Sequence, residues 1–185
     1  MRLRRWMAPG DRDAYSHAME KILVSACLLG ERVRYDAGDD SCLHPVLRAW
    51  AAQGRLIPVC PEVAGGLPVP RPPAQIQGPG GGPAVLARTA RVHTVDGEDV
   101  TAAFLTGAQI ALDTARRHGV RVAILKENSP SCGATRIHDG TFSGVRIPGM
   151  GTTAAALRAA GIEVFPETDL EAAATRLAEL EHDPA

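Results

Sequence analysis

The sequence predicts an α/β fold: a Rossmann-like parallel sheet with helices on both faces, built as a single domain. Three observations carry that expectation. Apolar runs of strand length recur along the 185-residue chain, stretches with helical spacing separate them, and no internal repeat is visible. A chain of this length supports one full core and is too short to expect two.

The elements follow in order. "KILVSA" (21–26) is apolar and partly β-branched, and reads as a buried strand ended by "CLLG". "HPVLRAWAAQG" (44–54) has Pro45 near its start and Gly54 at its end, the usual asymmetry of a helix. "RLIPV" (55–59) reads as a second strand, although Pro58 withdraws one ladder donor. "CPEVAGGLPVPRPPAQIQGPGGGP" (60–83) is too long for a tight turn and is expected to be a functional or mobile irregular segment. "AVLARTARVHTV" (84–95) suggests one or two extended stretches.

"DVTAAFLTGAQIALDTARRHG" (99–119) is the clearest helix, capped by Asp99 or Thr101, with Arg116 and Arg117 ahead of Gly119. "VRVAIL" (120–125) is the best strand. "TTAAALRAAG" (152–161), "IEVF" (162–165) and "DLEAAATRLAELEH" (169–182) repeat the helix, strand, helix alternation. "HDGTFSG" (138–144) resembles a hairpin turn signalled by Asp139-Gly140, and His138 there reads as structural rather than as a ligand.

Composition excludes several classes. Lys plus Arg number 20 against 21 for Asp plus Glu, which argues against an extensive nucleic-acid-binding face. Aromatics are 4%, too few for a base-stacking platform. No apolar stretch approaches the roughly 18 residues of a membrane span, and "MRLRRWMAPGDRDAYSHAMEK" has no apolar core of a secretory signal. Residues 1–19 are expected to be an N-terminal extension and residues 20–185 the α/β domain. Four cysteines without an export signal point to the cytoplasm and to thiols rather than disulfides.

Three of those thiols fall at equivalent places. Cys27 follows the first strand, Cys60 the second, and Cys132 the strand after the long helix. Residues just past the carboxyl ends of parallel strands converge on one crevice, where ligands bind. The set suits zinc with a fourth ligand such as His or water. Zinc ligands usually come in short-spaced pairs, and an iron–sulfur cluster with one iron left open as a Lewis acid toward a soft donor fits these widely spaced thiols well. Small buried hydrophobes are the inert reading of the same residues. Cys42, in "DDSCLHP", precedes a helix and is not expected to reach the group.

The neighbours of these thiols carry proton chemistry. Glu62 stands two residues past Cys60, a carboxylate suited to general acid or base work in a half-dry pocket. Ser129 and Ser131 precede Cys132, with hydroxyls able to hold a water or a substrate oxygen. Lys126, Asn128 and Arg71 are candidates for contact with substrate. Each has a bland alternative: Glu62 or Ser129 fixing a turn, Lys126 solvated, Arg71 pinning its loop. The glycine runs at 65–66 and 80–82 lack the strand, loop, helix context of a phosphate-binding fingerprint, and no Walker lysine is present.

The blocks "ILVSACLLGERVRYDAG", "IPVCPEVAGGLPVPRPP", "LKENSPSCG" and "GTFSGVRIPGMGTTAAALRAAGIEVF" together resemble the bacterial thiouracil desulfidase family, over about residues 20–167. The resemblance implies a 4Fe–4S enzyme that removes sulfur from a thiolated pyrimidine without net redox change, releasing hydrogen sulfide. By that likeness the cluster ligands are Cys27, Cys60 and Cys132, and Glu62 with Ser129, or Ser131 in its place, serves proton transfer. The substrate is then a small thiolated base or nucleoside. Similar sequences often read "CRYDG" where this chain has Val33 and Ala37, which favours three protein ligands. A cluster-based sulfide carrier or sensor without turnover is the alternative of another class.

Overall fold

The computed structural model describes residues 19–182, so the expected extension at residues 1–19 lies outside the described residues except for Met19. The central sheet has four strands: β1 (Ile22–Ser25), β2 (Leu56–Val59), β5 (Val122–Leu125) and β8 (Glu163–Pro166). Their order is β2-β1-β5-β8 and every pairing is parallel. In sequence order α1 (Pro45–Ala52), α2 (Pro61–Ala64), α3 (Gly81–Leu86), α4 (Thr101–Arg117), α5 (Thr152–Ala159) and α6 (Leu170–His182) accompany it.

The alternation of side chains along a strand sorts the core into two layers. Ile22, Val24, Val122 and Ile124 face α1 and α6, packing on Leu47, Trp50, Leu170 and Leu177. Leu23, Ala123 and Leu125 point the other way, onto Ala111 and Ala115 of α4 and Ala154 and Leu157 of α5. Strands buried on both faces read as continuous apolar runs, which is why β1 and β5 were legible. The N-cap of α4 is Val100 rather than the expected Asp99 or Thr101, and Asp99, one residue before it, accepts the Thr101 N–H at 2.9 Å.

The Pro- and Gly-rich stretch is more ordered than expected. Residues 60–83 contain α2, the strand β3 (Ala74–Gln77) and the start of α3. Only Arg91–Thr94 of the 84–95 stretch is a strand, β4, which pairs antiparallel with β3, while residues 84–86 finish α3. The reason is local: Pro61 and Pro83 sit in the first turns of short helices, where a missing N–H costs nothing. A second small hairpin, β6 (Arg136–His138) with β7 (Arg146–Pro148), follows β5. Its connection runs from 139 to 145 and is therefore longer than a two-residue turn.

Two glycines set the position of α2. A side chain on Gly107 of α4 would collide with the Pro61 carbonyl, and one on Gly65 with the Ala103 carbonyl. Backbone therefore meets backbone where α2 crosses α4, and Cys60 and Glu62 are placed by that contact.

Candidate active site

The order β2-β1-β5-β8 reverses direction between β1 and β5, the switch point at which a doubly wound sheet opens a crevice. The loops leaving β1, β2 and β5 enclose a cavity of about 680 Å³ there. Cys27, Cys60 and Cys132 all line it. Cys27 lies in a 3₁₀ turn, Ala26–Leu29, directly after β1. Cys60 is the N-cap of α2, and its thiol donates to the Val33 carbonyl at 3.8 Å.

Burial pushes the Cys27 thiol up to about 12, with Cys60 and Asp40 adding to it. Burial also raises Cys60, and raises Cys132 well above the ordinary thiol value, the latter helped by Cys27 and Cys60. The three sulfurs thus share one space. Thiolates around one zinc ion stand about 3.8 Å apart, from a bond of about 2.3 Å. Among the described residues no three His, Cys, Asp or Glu side chains close around a single ion. A soft, three-sulfur donor set of this kind suits an iron–sulfur cluster.

Glu62 and Ser129 meet beside them. Arg71 grips one carboxylate oxygen of Glu62, with Nε at 2.8 Å and a second guanidinium nitrogen at 2.7 Å. Ser129 Oγ donates to the other at 3.4 Å, while accepting the backbone N–H groups of Ser131 and Cys132 at 3.0 Å each. One serine therefore shapes the Cys132 turn and touches the carboxylate. Arg71 also donates to the carbonyls of Pro68 and Val33 at 3.1 Å, so it fixes Glu62 rather than reaching into open space.

Lys126 is similarly engaged. Its Nζ lies 2.5 Å from Glu167 and 2.9 Å from Asp40, and Asp40 also pairs with Arg34 at 2.7 Å. Burial works against the ammonium, but the bonds to Glu167 and Asp40 outweigh it and raise its pKa. Asn128 lines the cavity and holds a left-handed backbone, φ 66°. Ser131 does not reach the cavity. It is buried, and its Oγ lies 2.8 Å from the Thr153 hydroxyl on the far side of the loop. Cys42 also stays outside the lining, its N–H donating to the Leu28 carbonyl at 2.9 Å. Val33, in contrast, is part of the wall.

Sequence reasoning missed two residues. Glu127, 7% exposed, accepts from the N–H groups of Ala134, Thr135 and Arg136 and from the Thr135 hydroxyl. It ties down both ends of the loop that presents Cys132. His138 was expected to be structural, yet it lines the cavity with a buried Nδ1 that has no partner among the described residues. An acidic residue between Lys126 and Asn128 at a strand end was the available signal for Glu127.

Comparisons with known proteins show the family of the chain. The model of the family described as 2-thiouracil desulfurase matches residues 22–169. A solved structure described as [4Fe-4S]-dependent thiouracil desulfidase TudS superposes with a TM-score of 0.79 at 49% identity, covering 86% of this chain and 98% of that one. The uncharacterized protein YbbK of Bacillus subtilis (strain 168) is 44% identical over 149 residues, 80% of this chain and 97% of its own length. With the match spanning both the sheet and all three crevice cysteines, this chain belongs to the 2-thiouracil desulfurase family.

Proposed function

We propose that the protein removes sulfur from a thiolated uracil by hydrolysis, converting the thiocarbonyl to a carbonyl and releasing hydrogen sulfide. The observation that carries the reading is the meeting of three strand-end thiols with a pinned Glu62–Ser129 pair in one cavity. The similarity to a protein described as a [4Fe-4S]-dependent thiouracil desulfidase supports it.

Cys27, Cys60 and Cys132 would hold a 4Fe–4S cluster with one iron lacking a protein thiolate. When bound, the group supplies a Lewis acid matched to a soft thiocarbonyl sulfur. Everything else falls to the chain. Water adds to the ring carbon that bears sulfur, and the C–S bond breaks as the new C–O bond becomes a carbonyl. Two protons leave with the sulfur as hydrogen sulfide, and no electrons are transferred. Glu62 takes the proton of the attacking water and returns it to the departing sulfur. Ser129 and Arg71, one on each carboxylate oxygen, hold Glu62 in position for that transfer. Lys126 with Asp40 and Glu167 braces the β1 and β5 loops against each other.

Sulfide release from 2-thiouracil and 4-thiouracil by the anaerobically reconstituted protein tests this. Release at one sulfide per oxo base formed, without added reductant, is expected. A loaded protein that releases sulfide from neither base overturns the proposal. Glu62→Gln separates it from a carrier: the substitution stops turnover in an enzyme and leaves sulfide binding by a carrier unchanged.

A further inference from the structure

We infer that Phe142 is the wall on which the flat face of the substrate ring packs, selecting planar rings; the inference rests on the desulfuration reading. Two benzene rings line the cavity that Cys27, Cys60, Cys132, Glu62 and Ser129 share, those of Tyr35 and Phe142. The other aromatic residues described, Trp50, Phe104 and Phe165, belong to the apolar clusters of the interior. Phe142 is half-buried yet packs into none of those clusters. Tyr35 is 42% exposed, and the Arg34 guanidinium lies over its ring, 5.9 Å from the centroid. One face of Tyr35 is therefore covered, whereas Phe142 has no aromatic, cationic or core partner among the described residues.

The backbone at Phe142 is unusual for so bulky a residue. Its φ of 59° lies in the left-handed region, where a side chain crowds the main chain. Such a conformation persists only where the surroundings impose it, and it clusters at ligand sites. Gln75 of β3, 8% exposed, accepts the N–H groups of Gly140 and Phe142 on one oxygen, at 3.1 Å each. A side chain on Gly140 would strike the Ile76 carbonyl, so the loop lies with its backbone against β3. Asp139 accepts the Thr141 N–H at 3.0 Å and the Thr141 hydroxyl at 2.7 Å, and its own N–H donates to the Val145 carbonyl at 3.1 Å. The loop is closed on itself and clamped to β3, and Gln75 is the positioning residue for Phe142.

The chemistry narrows the ligand. A uracil-type ring makes its hydrogen bonds at the edge, and its two faces are flat and best covered by another π surface. Stacking of one base on one aromatic side chain is worth about fivefold to a hundredfold in affinity. Planarity is therefore what the wall reads. A ring saturated at C5 and C6 keeps both carbonyls and both N–H groups, but it puckers and loses the face contact.

Calorimetric binding of uracil and 5,6-dihydrouracil to the anaerobically reconstituted protein tests this, beside sulfide release from 4-thiouracil. The wild type is expected to bind uracil at least about fivefold tighter than the dihydro ring. Phe142→Leu stays apolar and is expected to bring that ratio to about one, raising KM for 4-thiouracil more than it lowers kcat. Phe142→Tyr and Tyr35→Leu are expected to keep the ratio. Gln75→Leu is expected to raise KM, and Gln75→Glu, which retains the acceptor, to restore it. Phe142→Gly is expected to have a higher urea midpoint than Phe142→Ala, the reverse of the usual order, because only glycine takes this φ without strain. Equal binding of the two rings by the wild type, no binding of either, an undiminished ratio in Phe142→Leu, a ratio lost in Tyr35→Leu, or a higher midpoint for the alanine variant overturns the inference. A ratio that depends on Phe142 in a protein releasing no sulfide would leave the wall standing and remove the desulfuration reading.

Discussion

Replacing Glu127 by alanine is expected to release the loop that carries Cys132. The buried carboxylate accepts from Ala134 N–H at 2.9 Å, Thr135 N–H at 2.9 Å, the Thr135 hydroxyl at 2.7 Å and the Arg136 N–H. Hydrogen bonds to a charged acceptor contribute about 1.5–3 kcal/mol each. Thr135 and Arg136 are exposed, so water replaces part of what their donors lose, whereas Ala134 is fully buried and its N–H is left orphaned. One orphan at about 1–3 kcal/mol and the residue of three partly recovered bonds give a loss of about 3–5 kcal/mol. Glu127→Gln keeps one acceptor oxygen and turns an amide N–H toward Ala134, for about 1–3 kcal/mol. Urea unfolding of the cluster-free protein under anaerobic conditions measures both, and iron counting after reconstitution reads the Cys132 loop. An alanine variant within about 0.5 kcal/mol of wild type, with full iron content, would refute the reasoning.

Other outcomes follow from the same geometry. Gly107→Ala drives a methyl group into the Pro61 carbonyl, and is expected to cost about 1–3 kcal/mol and to reduce iron content, since α2 carries Cys60 and Glu62; thermal unfolding and iron analysis check it. Cys42→Ser is expected to retain iron and turnover, because Cys42 lies outside the cavity lining; loss of iron would place it among the ligands. In the cluster-free protein the Cys27 thiol sits at about 12 against an ordinary 9.0, chiefly through burial. The folded state therefore holds this proton more tightly than the unfolded chain. The contribution of this thiol to stability is expected to be constant from about pH 6 to about 9 and to be lost as pH rises from there toward about 12, read as a fall in urea midpoints that Cys27→Ser diminishes. At pH 8 its alkylation by iodoacetamide is expected to be slower than in the urea-unfolded chain.

The central sheet was legible because β1 and β5 are buried on both faces and so present unbroken apolar runs, and α4 was legible from its apolar spacing and basic last turn, although Val100 and neither Asp99 nor Thr101 is its N-cap. The convergence of Cys27, Cys60 and Cys132 followed from topology alone: residues at the carboxyl ends of parallel strands meet, whatever their separation along the chain. What stayed hidden depends on contacts that pattern does not encode. The short elements of residues 60–86 are stabilised by packing of Gly65, Gly81 and Gly82 against distant backbone, and a Pro- and Gly-rich stretch looks irregular without those neighbours. Ser131 and Ser129 are two positions apart and equivalent in sequence, yet the turn sends one to Thr153 and the other to Glu62. Arg71 and Lys126 were candidates for substrate contact, and carboxylates from other segments already occupy them. His138 was assigned to a turn, and only the fold of β3 against the 139–142 loop brings it to the cavity.

The most direct measurement is iron content and sulfide release on the same anaerobically reconstituted samples, for wild type and for Cys27→Ser, Cys60→Ser and Cys132→Ser, with 4-thiouracil as substrate. About four irons per chain in the wild type, with each serine variant losing cluster and sulfide release together, is the expected result. Sulfide release that persists after the iron is gone would contradict the account.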